Sequence, residues 1–266
     1  MRKAILKNLA APLRRNGRLE GALRLTRLPG RRTTVVHQLV IPHATYSPWW
    51  TDAEFQEAFR AVQAFTLVDV YRLYELWNLV EQVKQVEGDI LEVGVWRGGS
   101  GCLLARKAEL ESLQARVFLC DTFAGVVKAG TQDREYTGGE HSDTSVETVT
   151  QLAAELGLDN VRVLEGIFPD ETSRDVDSSR LRLCHIDVDV YDSARDVFEW
   201  CWPRLSTGGL VVFDDFGFHD CEGVTRLVTE LAARPDVLFL HNLNGHALLI
   251  KRPSGNGQRT RNASPA

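Results

Sequence analysis

No stretch of this 266-residue sequence approaches the ~18 uninterrupted apolar residues that a membrane-spanning helix requires. Residues at its N-terminus lack the continuous apolar run expected of a secretory signal, because arginines interrupt the leucines throughout. There is no CxxC pair, and the five cysteines (Cys102, Cys120, Cys184, Cys201, Cys221) stand singly. An odd, scattered set argues against a disulfide framework. Several of these cysteines lie in apolar runs and read as small core residues, so a reducing cytoplasm is the expected compartment.

Acid is scarce at one end. Residues 1–32 carry ten Lys/Arg against Glu20 alone, a net of +9 that leaves −14 on the rest of a chain of net −5. An acidic body argues against a nucleic-acid binder. The basic arm could touch an anionic lipid surface. It reads rather as a solvated arm or one that packs on a second copy of the chain, so a homo-oligomer is an expectation.

What is present is ordinary for a globular protein: 44% hydrophobic and 25% charged residues. The length suits one large α/β domain with an N-terminal extension. Four regions are expected: a basic arm over 1–32 with broken helix, a helical extension or lid over 33–87, a core over 88–252, and a disordered, Pro/Gly-rich tail over 253–266.

Within 33–87, Thr33–Ile41 is β-rich, and Tyr46–Trp50 is an aromatic loop. Helical patterns follow, to about Phe65 from a Thr51/Glu54 capping box, and from Val68 to about Val86. Beyond them, short apolar runs alternate with helical patterns. The predicted strands are Asp89–Val95, Arg116–Cys120, Val161–Leu164, Arg182–Ile186, Leu210–Phe213, Val237–Leu240 and Ala247–Ile250. The predicted helices are Ser100–Leu113, Thr144–Leu156, Ser193–Leu205 and Cys221–Ala233. Residues 124–142 are polar and Gly-rich and read as a mobile loop. The alternation predicts a doubly wound, mostly parallel sheet, with a hairpin at Asn242–Gly245 supplying one antiparallel edge strand. Ligands of such sheets bind beyond the strand carboxyl ends, at the switch in strand order.

Two groups of residues fall there. Glu92–Val–Gly94–Val–Trp–Arg–Gly98–Gly99–Ser100 follows the first core strand and opens a helix. Its glycines allow a tight turn and close backbone approach, and the helix N-terminus offers free N–H groups to an anion. Asp121 ends the next strand, placed to accept from a ribose diol, and Glu165–Gly166 ends the third, where it could approach an adenine. The second group is acidic. Asp187 and Asp189 close the fourth strand, and Asp214–Asp215 close the fifth. Converging carboxylates repel unless a cation or proton intervenes, and oxygen-only ligands favour Mg²⁺, Mn²⁺ or Ca²⁺. His185 and His219 lie near without zinc-site spacing. Asp192 and Ser193 are good helix N-cap candidates.

Together these residues resemble the macrocin O-methyltransferase family. The matching stretches are Thr66–Leu76, Gly88–Gly99, Asp121–Gly125, Ile186–Ser193 and Gly208–Asp215, and the resemblance covers roughly residues 45–251. It implies a class I methyltransferase (Rossmann-like) fold, S-adenosylmethionine as donor, Mg²⁺, and a sugar hydroxyl as acceptor. It places Asp187, Asp214 and Asp215 on the metal and makes Asp189 or His141 the base. It puts Thr66, Glu92, Gly94, Val95, Trp96, Gly98, Ser100, Asp121 and Gly166 around the donor. The chain reads I-D-V-D-V-Y where macrolide members tend toward L-D-x-D-[ML]-Y, and it has a longer aromatic entry at Trp49–Trp50. These departures leave the metal positions intact and bear on the acceptor. A metal-dependent hydroxylase or hydrolase on the same scaffold would not need the glycine turn, Glu92 and Asp121 together. A non-catalytic binding module would not need the acids.

Overall fold

The computed structural model describes residues 46–253 and the backbone of two strands nearer the N-terminus. The chain forms two compact units, Met1–Asp52 and Ala53–Ala266. In the first, β1 (Glu20–Leu25) pairs antiparallel with β2 (Val35–Val40), Glu20 opposite Val40 and Leu25 opposite Val35. Broken helix was expected over Glu20–Leu25. That segment is a strand, and its sequence alternates Leu23 and Leu25 with Arg24, the period of a strand rather than a helix. The remaining expectations for residues 1–32, and those for the tail from 254 onward, lie outside the described residues.

The second unit opens with α1 (Ala53–Val62) and α2 (Val70–Gln82). α1 buries Phe55, Ala58 and Val62, and α2 buries Leu73, Leu76, Trp77 and Val80, both at helical spacing. Each large apolar side chain so buried contributes about 1.5–3 kcal/mol. α2 starts at Asp69, whose side chain accepts the N–H groups of Tyr71 and Arg72.

There follow β3 (Asp89–Val93), α3 (Gly99–Leu110), β4 (Val117–Asp121), α4 (Val146–Glu155), β5 (Val161–Glu165), β6 (Leu181–Ile186), α5 (Tyr191–Arg204), β7 (Leu205–Phe213), α6 (Glu222–Ala232), β8 (Val237–His241) and β9 (Ala247–Lys251). The seven strands of this unit lie in the order β5-β4-β3-β6-β7-β9-β8. The first five are parallel, β9 runs antiparallel between β7 and β8, and β8 at the edge therefore shares the direction of the five. Strand order reverses between β3 and β6, so the crevice of a doubly wound sheet opens at their carboxyl ends. β6 is buried at every position, as a central parallel strand must be. All five cysteines are free and buried. Among the described residues no helix is long and apolar enough to cross a membrane.

The mobile loop expected over 124–142 is instead anchored. Val126 N–H donates to Glu140 O and Gly139 N–H to Val126 O, both at 2.9 Å. Lys128 pairs with Asp170 and Asp196 at 2.8 and 2.7 Å. Asp133, buried, accepts Tyr191 N–H at 2.9 Å and Gly130 N–H at 3.0 Å. The expected N-caps Asp192 and Ser193 lie inside α5, whose N-cap is Val190 with no side-chain cap of its own. Val190 cannot cap, and a loop aspartate 58 residues away in sequence does so.

Candidate active site

β3 delivers the chain to Gly94, which has φ 88°. A Cβ there would sit 1.6 Å from Asp187 O. The turn after β3 therefore presses on the backbone leaving β6, and only glycine fits. Asp121, at the end of β4, accepts Val95 N–H at 2.7 Å and Trp96 N–H at 2.8 Å on Oδ2, and Phe123 N–H at 2.8 Å on Oδ1. A carboxylate offers about four acceptor sites, so Asp121 holds the turn and keeps room for one further donor. Trp96 is fixed by its indole N–H on Asp143, at 2.8 Å, and by the Arg97 guanidinium 4.4 Å above its ring. Gly98, left-handed at φ 89°, caps α3 and leads to the buried Ser100.

On the other side of the switch, Asp187 N–H donates to Val93 O at 2.9 Å and Asp214 N–H to Ile186 O at 3.0 Å. The strand register thus sets these two acids at successive carboxyl ends. One carboxylate oxygen each from Asp187, Asp214 and Asp215 lies within 4.8 Å of the others. Asp214 is buried and meets one arginine and two histidines. Its Oδ2 accepts from Arg72 Nη1. Its Oδ1 lies 2.8 Å from His246 Nε2 and 3.6 Å from His185 Nε2. Burial alone would raise its pKa, but the two histidines and Arg72 hold it well below the usual carboxylate range. Asp187 and Asp215 go the other way. Burial and then the like charge of Asp214 push both well up. Two carboxyls that resist ionising beside Asp214 would ionise more readily facing a cation, so this donor set fits a hard divalent ion.

Just past β6, Asp189 takes φ 65° and accepts the Tyr136 hydroxyl at 2.6 Å. Burial raises its pKa against the Tyr136 hydrogen bond and nearby His141. His141 is exposed on the anchored loop, its ring 6.3 Å from that of Tyr136. Beneath the site, His185 Nδ1 meets Glu92 Oε1 at 2.8 Å with both side chains fully buried. Burial lowers the His185 pKa, but Asp214 and Glu92 outweigh it and push it up to about 10.

One cleft collects most of the expected residues. It is lined by Thr66, Gly94, Val95, Trp96, Ser100, Asp121 and Gly166 on the glycine-turn side, and by His141, Asp187, Asp189, Asp214 and Asp215 on the acid side. Glu92 and Gly98 are not in its wall. Glu92 points within the sheet to His185, and Gly98 turns the chain into α3 against Val149. Four residues near the acids escaped the sequence reading as site residues: Arg72, Glu75, Tyr136 and His246. Arg72 and Glu75 did carry a signal, charged residues three apart on a helix that is otherwise apolar on its buried face.

The mostly parallel sheet with one antiparallel strand, β9, inserted before the β8 edge, together with this cleft, defines the class I methyltransferase fold. The O-methyltransferase NovP shares it, with a TM-score of 0.64 and 25% identity over 71% of this chain and 83% of that one. The chain matches the macrocin-O-methyltransferase (TylF) family over residues 48–235 and belongs to that family. It is 36% identical over 170 residues to the 8-demethyl-8-(2,3-dimethoxy-alpha-L-rhamnosyl)-tetracenomycin-C 4'-O-methyltransferase of Streptomyces olivaceus, covering 59% of this chain and 65% of that protein. It is 34% identical over 193 residues to the mycinamicin III 3''-O-methyltransferase of Micromonospora griseorubida, covering 64% and 75%.

Proposed function

We propose that this chain moves a methyl group from S-adenosylmethionine to a hydroxyl of a sugar or glycoside of secondary metabolism, with a divalent cation such as Mg²⁺ held by Asp187, Asp214 and Asp215. The observation that carries the proposal is the single cleft that joins the glycine turn to the three acids. The sulfonium donor supplies an already activated methyl group. The cation, when bound, supplies Lewis-acid polarisation of the acceptor oxygen. A relative named for a rhamnosyl acceptor supports the glycoside class.

The chain's own residues divide the remaining work. Asp121 offers its spare acceptor site to the donor ribose, and Gly166, in the cleft wall at the end of β5, would approach the adenine. Near the start of α3, where Ser100 lines the cleft, the helix N-terminus would favour the donor carboxylate. Asp189 takes the hydroxyl proton, because its raised pKa makes it a better base near neutral pH than an ordinary carboxylate. His141 is the second candidate for that proton. The anchored loop 124–142 would exclude water from the reacting groups.

A methyl-transfer screen over sugars, glycosides and catechols, with and without Mg²⁺, tests this reading, alongside calorimetry with S-adenosylhomocysteine. Product from a glycoside that disappears with chelator is expected. Failure to bind S-adenosylhomocysteine, or full activity in stringently metal-free buffer, overturns the donor or the metal part respectively.

A further inference from the structure

The antiparallel register pairs Phe213 with Ala247, which sets His246, just before β9, beside Asp214, just after β7. The His246 ring is fully buried and spans two carboxylates. Nε2 lies 2.8 Å from Asp214 Oδ1 and Nδ1 lies 2.6 Å from Glu75 Oε2. Glu75 is itself held by the hairpin, through the side-chain amides of Asn242 and of Asn244, the latter at 2.9 Å. Asn244 Oδ1 in turn accepts His246 N–H at 3.0 Å. From the same helix, three residues earlier and so on the same face, Arg72 donates to the other oxygen of Asp214 and to Asp69, the latter at 3.0 Å. Asp187 and Asp215 make no ion pair of their own among the described residues.

We propose that Glu75 and His246 form a positioning pair that fixes the Asp214 carboxylate before a cation arrives, so that α2 and the C-terminal hairpin set the cation affinity of the site. The inference rests on the cation reading proposed above. One acid is locked from both oxygens, and two are left to close on the ion. A ligand held by outer partners loses less freedom on binding, which is why removal of such partners typically weakens metal binding about 10–100-fold. Glu75 touches neither cleft nor cation and acts only through the imidazole.

The test uses the full chain and Mn²⁺ alone as calorimetric probe, with S-adenosylhomocysteine binding as a check on the folded cleft. His246→Leu is expected to weaken Mn²⁺ about 10–100-fold while S-adenosylhomocysteine affinity stays within about two-fold. His246→Gln, whose amide can still donate to Asp214, should recover most of the cation affinity. Glu75→Gln should fall between the parent and His246→Leu. The double variant Glu75→Gln/His246→Leu should bind Mn²⁺ no more weakly than His246→Leu, because one pathway cannot be cut twice. A His246→Leu protein that keeps its S-adenosylhomocysteine affinity and binds Mn²⁺ like the parent overturns the pairing. So does full additivity in the double variant. If His246→Leu does not fold, Glu75→Gln decides, and parental Mn²⁺ affinity there overturns the proposal. A parent that binds no Mn²⁺ overturns the cation reading itself, and the positioning role falls with it.

Discussion

Tyr136 donates its hydroxyl to Asp189 Oδ1 across 2.6 Å, joining the middle of the loop after β4 to the residue that turns the chain after β6. Burial and the Asp189 charge push the phenol far up, so it stays a donor at any working pH. The contact aims one Asp189 oxygen at the tyrosine and fixes the carboxylate in the cleft wall. Hydrogen bonds to charged groups are worth about 1.5–3 kcal/mol. Tyr136→Phe should therefore lower single-turnover methyl transfer by about 10–100-fold with donor affinity unchanged. Asp189→Asn should cost about 10²–10⁴-fold, the range for loss of a general base, and His141→Ala much less. A His141→Ala defect as large as that expected of Asp189→Asn would move the base to the histidine.

Asp121 does two jobs, and its variants should separate them. Its three backbone hydrogen bonds order the turn after β3, and its remaining acceptor site is assigned to the ribose. Asp121→Ala leaves three half-buried N–H groups unpaired, at up to about 1 kcal/mol each, and should lower both melting temperature and S-adenosylhomocysteine affinity. Asp121→Asn keeps one carbonyl oxygen and should retain more of the fold than of the affinity. Unchanged affinity of both variants in titration calorimetry would remove Asp121 from the donor site.

The strand-end residues were legible in sequence because a β-strand followed by glycine or paired acids is a local pattern. Gly94, Asp121, Asp187 and Asp214–Asp215 all fall at strand ends where the alternation put them. The partners of those residues were not legible. His246 reaches Asp214 only through the β7–β9 register, and Glu75 reaches His246 across 171 residues of chain. The partner of Glu92 was hidden for the same reason. The place of Glu92 two residues before Gly94 suggested a cleft residue, but strand alternation turns it to the buried His185. The loop 124–142 looked mobile from its glycines, and Asp133 and Lys128 tie it down through contacts to α5 that no local pattern announces.

The Asp133 tie should be measurable. A lost helix cap costs about 1 kcal/mol, and here the cap also holds the loop. Asp133→Ala should raise the rate of proteolytic cutting within 124–142 several-fold, while Lys128→Ala has a smaller effect because its pairs are more exposed. Equal cutting of the parent and Asp133→Ala would show that the loop is held by other contacts.

The acid cluster predicts how stability responds to pH and to metal. Asp187 and Asp215 have raised pKa values in the folded chain. A carboxyl group so raised binds more protons folded than unfolded, so stability falls as pH climbs from the ordinary carboxylate value to the raised one. His185 works in the same direction. Its contribution is complete below its ordinary 6.5 and is lost as pH rises through about 10. Asp214, held low, loses its contribution only in acid. The metal-free chain should therefore melt at progressively lower temperature between pH 5 and pH 9. A cation binds the ionised acids and not the protonated ones, so added Mg²⁺ should raise the melting temperature more at pH 8 than at pH 5. At a hundred-fold excess over its dissociation constant, a ligand adds about 2.7 kcal/mol. Asp187→Asn removes one of the repelling charges and should flatten the alkaline loss while cutting the Mg²⁺ gain. Scanning calorimetry across that pH range, with chelator or with Mg²⁺, makes the comparison. A melting temperature indifferent to Mg²⁺ at pH 8, or an alkaline loss unaltered in Asp187→Asn, would show that these carboxylates are not the groups that need the cation.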